Sequence, residues 1–177
     1  ANEILTNITI TTPSCYSGND GTATITVSGG SPGYTYLWND GQTTSTAIGL
    51  ISGTYDCIIT DVNACIANSD SIFINQPSQL SSIISTTNVS CFGGNNGSAS
   101  VIVAGGIPVH TYLWSNGQTT ATISNLTAGN YSCIVTDAIG CISNPSINIS
   151  EPAEILANLT AVNVSCYAGN DGSASVN

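Results

Sequence analysis

The sequence has 177 residues, no lysine or arginine, ten Asp plus Glu and one histidine, for a formal net charge of −10. Such a surface has nothing with which to neutralise phosphates, which excludes nucleic acid and anionic lipid headgroups as partners. At 41% hydrophobic residues the chain can build a core, and no apolar run approaches the roughly 20 residues that span a bilayer.

In chain order, "ILTNITITT" alternates and is rich in β-branched residues, the pattern of a half-buried strand. The turn "CYSGND" leads into a second strand, "GTATITVSGG". "YTYLWNDG" puts Tyr34, Tyr36 and Trp38 on one face, with Thr35 and Leu37 on the other. Asp40-Gly41 predicts a hairpin turn at its end. "TSTAIGL", "GTYDCIITD" and "CIANSDSIFINQP" complete the unit. No amphipathic helical stretch occurs. The unit then repeats: Cys15 to Cys91, Trp38 to Trp114, Cys57 to Cys133 and Cys65 to Cys141 are each 76 residues apart, and Cys91 to Cys166 is 75. Asn116-Gly117 restates the hairpin signal. The expected organisation is two complete units, 1–77 and 78–152, and the start of a third, 153–177, within something longer.

Short strands with frequent turn signals predict an all-β fold of tandem immunoglobulin-like β-sandwich domains. Trp38 on the third strand and the Tyr-x-Cys pairs Tyr55/Cys57 and Tyr131/Cys133 match that plan. An array with short joints ("NQPSQ", "SEPAE") works best if each unit has its ends at opposite poles. In an up-and-down sandwich that requires an odd number of strands, so a seventh is expected near "QTTS".

Seven cysteines without a CxxC spacing, beside one histidine, form no zinc set and point to disulfides and an oxidising compartment outside the cytosol. The expected bridges join Cys15 to Cys65 and Cys91 to Cys141, with Cys15–Cys57 as the rival. Cys57 and Cys133 are then spare, either buried thiols beside Trp38 and Trp114 or bridges to a neighbouring unit or chain.

The set C-x-G-x-N/D-G, W-x-x-G-Q-T-T, L-x-x-G-x-Y and T-D-x-x-G-C resembles the SprB repeat of very large surface proteins of gliding bacteria. The resemblance covers both units and the partial third. It implies a secreted, filamentous, adhesin-type protein at the cell surface, with a role in gliding motility and export by type IX secretion. Three features depart from the pattern: Ala64 stands where Gly is expected, His110 replaces the tyrosine seen at Tyr34, and Cys57 and Cys133 are additional.

No catalysis is expected. His110 has no counterpart in the first unit, so no Ser-His-Asp or Cys-His set recurs. "SGGSPG" and "AGGIP" read as turns between strands, since neither carries a lysine to cradle phosphate. No cofactor is expected. Asp20, Asp61 and Asp137 are the calcium candidates, but Asn96 stands where Asp20 does and such Asn/Asp/Gly sequences also make tight turns. Ser71, in Asp70-Ser71-Ile72, is a candidate O-glycosylation site in the setting the resemblance implies. The partners expected are neighbouring repeats, other copies in a fibre, and surface glycans. Tyr16, Phe92 and Tyr167 are the aromatics for an alternative reading as a carbohydrate-binding array, and strand exchange between subunits is a third.

Overall fold

The computed structural model describes residues 2–177 and is all-β, with no helix among them. The first unit contains β1 (Leu5–Thr11), β2 (Gly21–Ser28), β3 (Thr35–Trp38), β4 (Thr46–Leu50), β5 (Gly53–Tyr55), β6 (Cys57–Thr60), β7 (Ile66–Asn68) and β8 (Ile72–Ile74). One sheet has the order β1-β2-β4 and the other β3-β6-β7, with β5 paired to β8. Strands β5 and β6 form one line interrupted at Asp56, and β7 and β8 one line interrupted at Ser69–Ser71. The unit is thus a six-line immunoglobulin-like sandwich, three lines facing three.

The second unit repeats the plan with β9 (Ser81–Thr87), β10 (Gly97–Ala104), β11 (Thr111–Trp114), β12 (Thr122–Leu126), β13 (Gly129–Thr136), β14 (Ile142–Ser143) and β15 (Ser146–Ile149). Beyond it, β16 (Leu159–Val162) and β17 (Ser173–Val176) form one antiparallel hairpin, exposed throughout.

Alternation along the strands sets the core. On β2 it points Ala23 and Ile25 inward, and these meet Trp38, Ala47, Leu50, Tyr55, Cys57, Ile59 and Ile74. A separate cluster of Val89, Ala99, Val101, Trp114, Ile123, Leu126, Cys133, Val135 and Ile149 fills the second unit. The indole Nε1 of Trp38 donates to Thr44 O at 2.8 Å, and that of Trp114 to Thr120 O at 2.9 Å, so each ring is buried with its polar edge satisfied. The Tyr55 and Tyr131 hydroxyls donate to Ile51 O and Thr127 O, four residues upstream, like the tyrosine corner of immunoglobulin domains.

Two expectations are corrected here. Residues 42–45 form no seventh strand; Gln42 O accepts the Trp38 N–H, and the Gln42 side chain bonds Asp40 and both backbone groups of Ile48. The Asp40-Gly41 turn forms, with Gly41 at φ 91°, yet it joins no hairpin, because β3 pairs β6 while β4 pairs β2 in the other sheet. The chain crosses between sheets halfway down and continues in the same direction. Registers show this: Leu5 lies opposite Ser28, Thr35 opposite Thr60, and Leu50 opposite Gly21. Consequently β1 runs from a leading pole to a trailing pole, and β8 also ends at the trailing pole. The ends are at opposite poles without an odd strand count.

Candidate functional site: the junction between units

The strand directions decide what meets at the junction. The turn after β1, with Cys15, lies at the trailing pole of unit one. The turn before β7, with Cys65, lies at the leading pole of the same unit. Seven residues of strand at about 3.3 Å each separate the poles by roughly 20 Å, whereas a disulfide needs Cα atoms about 4.4–6.8 Å apart. The expected Cys15–Cys65 and Cys91–Cys141 bridges therefore cannot form, and neither does Cys15–Cys57. Instead Cys15 is bonded to Cys141, at the leading pole of unit two, with Cα atoms 5.7 Å apart and 126 residues between them in sequence.

The trailing turn is built by Pro13, which is buried, and by Asp20, whose carboxylate accepts from both the backbone N–H and the hydroxyl of Ser14. Gly18 N–H closes on Cys15 O at 2.9 Å, and Ser17 N–H donates to Gln76 Oε1 at 2.8 Å, tying the turn to the joint. The leading turn of unit two hangs on Asp137. Its carboxylate is buried and accepts from the N–H groups of Ile107, Ile139 and Cys141 at 2.9, 3.1 and 2.9 Å. Asp61 does the same in unit one for Ser31, Asn63 and Cys65. The glycine pairs serve this pole too. Gly105 has φ 69°, and a Cβ there would sit 2.0 Å from Gln79 O, so only glycine lets the joint pass.

Cys15, Tyr16, Gln79, Leu80, Cys141 and Ile142 line a cleft at the junction. Leu80 is only 8% exposed, while its counterpart Ile4 is partly buried. The structure thus adds Leu80 to the joint "NQPSQ" read from the sequence, and gives Gln76 and Gln79 their contacts there.

Hydrogen bonding holds the carboxyls of all three calcium candidates below their ordinary range. For Asp20 the Ser14 hydroxyl is the main cause, for Asp61 the Cys65 N–H followed by that of Ser31, and for Asp137 the Ile107 N–H. Their oxygens are committed to turn donors. Among the described residues no group of three or more His, Cys, Asp or Glu is placed to hold a metal ion.

Cys57 and Cys133 are buried free thiols, in register with Trp38 and Trp114 respectively. Burial pushes both thiols up, which disfavours the reactive thiolate. Cys65, Cys91 and Cys166 are free and exposed. Ser71 is exposed in the break between β7 and β8. The ring nitrogen Nε2 of His110 is buried without a hydrogen-bond partner. Tyr16 lies in the junction cleft, while Phe92 and Tyr167 are exposed on the equivalent turns. No helix among the described residues is long and apolar enough to cross a membrane.

A family model described as SprB repeat matches the chain twice, at residues 7–43 and 83–119. No curated protein matches it. Among solved structures, the three N-terminal domains of the bacteriophage RB49 Highly Immunogenic Outer Capsid protein (Hoc) align at 17% identity over 99% of this chain and 69% of that one, with a TM-score of 0.45. A structure described as the structural basis for Dscam isoform specificity aligns at 15% identity over 84% of this chain and 47% of that one, TM-score 0.36. The N-terminal eight Ig domains of Down Syndrome Cell Adhesion Molecule align at 14% over 85% and 26%, TM-score 0.36. The chain thus spans less than half of the two Dscam structures.

Proposed function

We propose that this chain, with its two SprB repeat matches, is a segment of a long extracellular surface filament whose work is mechanical and adhesive. Its units are residues 1–77, 78–152 and the start of a third at 153–177. The observation that carries this reading is the junction: each complete unit enters at one pole and leaves at the other, and consecutive units are joined both by backbone and by Cys15–Cys141. Such a link fits an oxidising exterior. A stiff array of many similar units presents weak contacts in many copies, which gains avidity without a strong single site. Service in gliding and export by type IX secretion follow from the kinship to SprB repeats, and modification at Ser71 would fall on the outer surface. Nothing in this reading requires a catalytic group or a metal, since the aspartates are used by turns.

Antibodies raised against the chain test it. They should label intact, unpermeabilised cells, with gold particles spaced along surface filaments, and should reduce cell attachment to a solid surface. Labelling only after lysis would overturn the surface reading, and unchanged attachment would overturn the adhesive one.

A further inference from the structure

The Cys15–Cys141 bond joins two positions that recur. Cys91 and Cys166 stand on the trailing turn, 76 and then a further 75 residues after Cys15, and Cys65 stands on the leading turn, 76 residues before Cys141. The recurring positions keep the same backbone framework whether or not they are bonded. Gly94 N–H closes on Cys91 O at 3.0 Å and Gly169 N–H on Cys166 O at 2.9 Å, as Gly18 does on Cys15. Ser90 N–H and Ser165 N–H bond Asn96 and Asp171 as Ser14 N–H bonds Asp20. On the other side, the N–H groups of Cys65 and Cys141 each meet the carboxylate of their turn aspartate at 2.9 Å. The buried Cys57 and Cys133 lie outside this set, in the cores.

We infer that the bridge is a periodic device: the trailing-turn cysteine of every unit bonds the leading-turn cysteine of the unit that follows it in the same polypeptide. Cys65 is the receiving position for the trailing turn of a preceding unit. Cys91 is the donating position for the leading turn of a completed third unit. A second covalent line then runs through the junctions beside the backbone. In each bridging step two thiols and one disulfide of an oxidised dithiol–disulfide oxidoreductase become one protein disulfide and one dithiol, so both electrons and both protons pass to the oxidant. The inference depends on the observed bond and the repeat, and goes beyond the adhesive reading, with which it neither stands nor falls.

The test adds a unit ahead of the full chain. A copy of residues 78–151 placed before residue 1 is in register and supplies a trailing-turn cysteine upstream of Cys65. The protein is oxidised, alkylated without reduction, cleaved at aromatic and acidic residues, and its linked peptides identified by mass spectrometry. Cys65 should be lost from the alkylated pool and appear joined to the added copy of Cys91, with Cys15–Cys141 intact beside it. Alkylated Cys65 beside an intact Cys15–Cys141 would overturn the inference, as would any bridge within one unit or absence of Cys15–Cys141 from the parent chain. A second extension appends residues 103–152 after Asn177, completing the third unit. There Cys91 should leave the alkylated pool and join the appended copy of Cys141. Persistence of free Cys91 beside a native-like emission from the appended tryptophan would again overturn it.

Discussion

Units one and two share their strand plan and most of their core, yet they differ at the poles. Ala23, Ile25, Trp38, Ala47, Leu50, Cys57, Ile59 and Ile74 are matched by Ala99, Val101, Trp114, Ile123, Leu126, Cys133, Val135 and Ile149, all buried, and the one large change in volume is Ala47 to Ile123. At the trailing turn, Pro13 becomes Val89, Asp20 becomes Asn96, and the acceptor for the turn N–H changes from Gln76 to Glu151. At the leading pole, Cys65 is free and exposed where Cys141 is bonded, and Ile4 is partly open where Leu80 is covered. The interiors obey one packing requirement. The poles differ in the contacts that cover them and in the acceptors that hold the turn.

The largest expected effect separates the two interiors. Trp38→Ala should destabilise unit one by about 3–5 kcal/mol, the range for truncating a buried aromatic. Because the two clusters are distinct, the unfolding of unit two, followed through the fluorescence of Trp114, should hold its midpoint. A matching shift in that midpoint would mean that the two units unfold as one cooperative body. The next effect compares the poles. Leu80→Ala should cost about 2 kcal/mol, near the low end for a buried leucine, and Ile4→Ala less than about 1 kcal/mol. Denaturant melts of each variant with and without Cys141→Ser would sharpen the contrast, since opening the junction should narrow the gap. Equal costs in the bridged protein would show that docking does not cover Leu80.

Acid should also distinguish the units. The folded carboxyls of Asp20, Asp61 and Asp137 lie below the ordinary value of 3.8, so their contribution is fully present above that value. It is lost as pH falls through the folded values, where the unfolded chain already holds the protons. Unit one carries two such turn carboxylates, Asp20 and Asp61, and unit two carries Asp137 with a neutral Asn96 at the other turn. Between pH 5 and pH 2, amide protection relative to the intrinsic exchange rate should fall more in the unit-one turn than in its unit-two counterpart. Asp20→Asn should remove most of that difference. An undiminished difference in the variant would place its origin outside this turn.

The alternation and turn signals made the sandwich legible, and Trp38 and Tyr55 marked its third and penultimate lines. The six lines were legible but the crossing was not, because a four-residue strand that passes between sheets leaves the same composition as a hairpin; that crossing, and no seventh strand, puts the ends at opposite poles. The bridge was misread for a reason that the sequence itself contained. If a unit's ends lie at opposite poles, the turn after its first strand and the turn before its last must also lie at opposite poles. Cys15 and Cys65 then cannot meet, and the nearest partner for Cys15 is the leading turn of the next unit. Leu80 had no such signal; its cover belongs to the junction cleft.

The smallest effect concerns that trailing turn. Gln76→Glu gives unit one the acceptor that unit two uses, where the Glu151 carboxylate takes the Gly93 N–H at 2.7 Å. A charged acceptor makes the stronger bond. The same turn already holds the Asp20 carboxylate, however, and the chain has no lysine or arginine to offset an added charge. At an exposed site the two effects should nearly cancel, leaving a change within about 0.5 kcal/mol. In unit two the opposing carboxylate is absent, since Asn96 stands there, so Glu151→Gln should lose the stronger bond without relieving repulsion. If the turn charge governs the choice of acceptor, Gln76→Glu in an Asp20→Asn background should stabilise more than in the parent chain. A double-mutant cycle by denaturant melts gives that coupling, and a coupling of zero would mean the two acceptors are chosen independently.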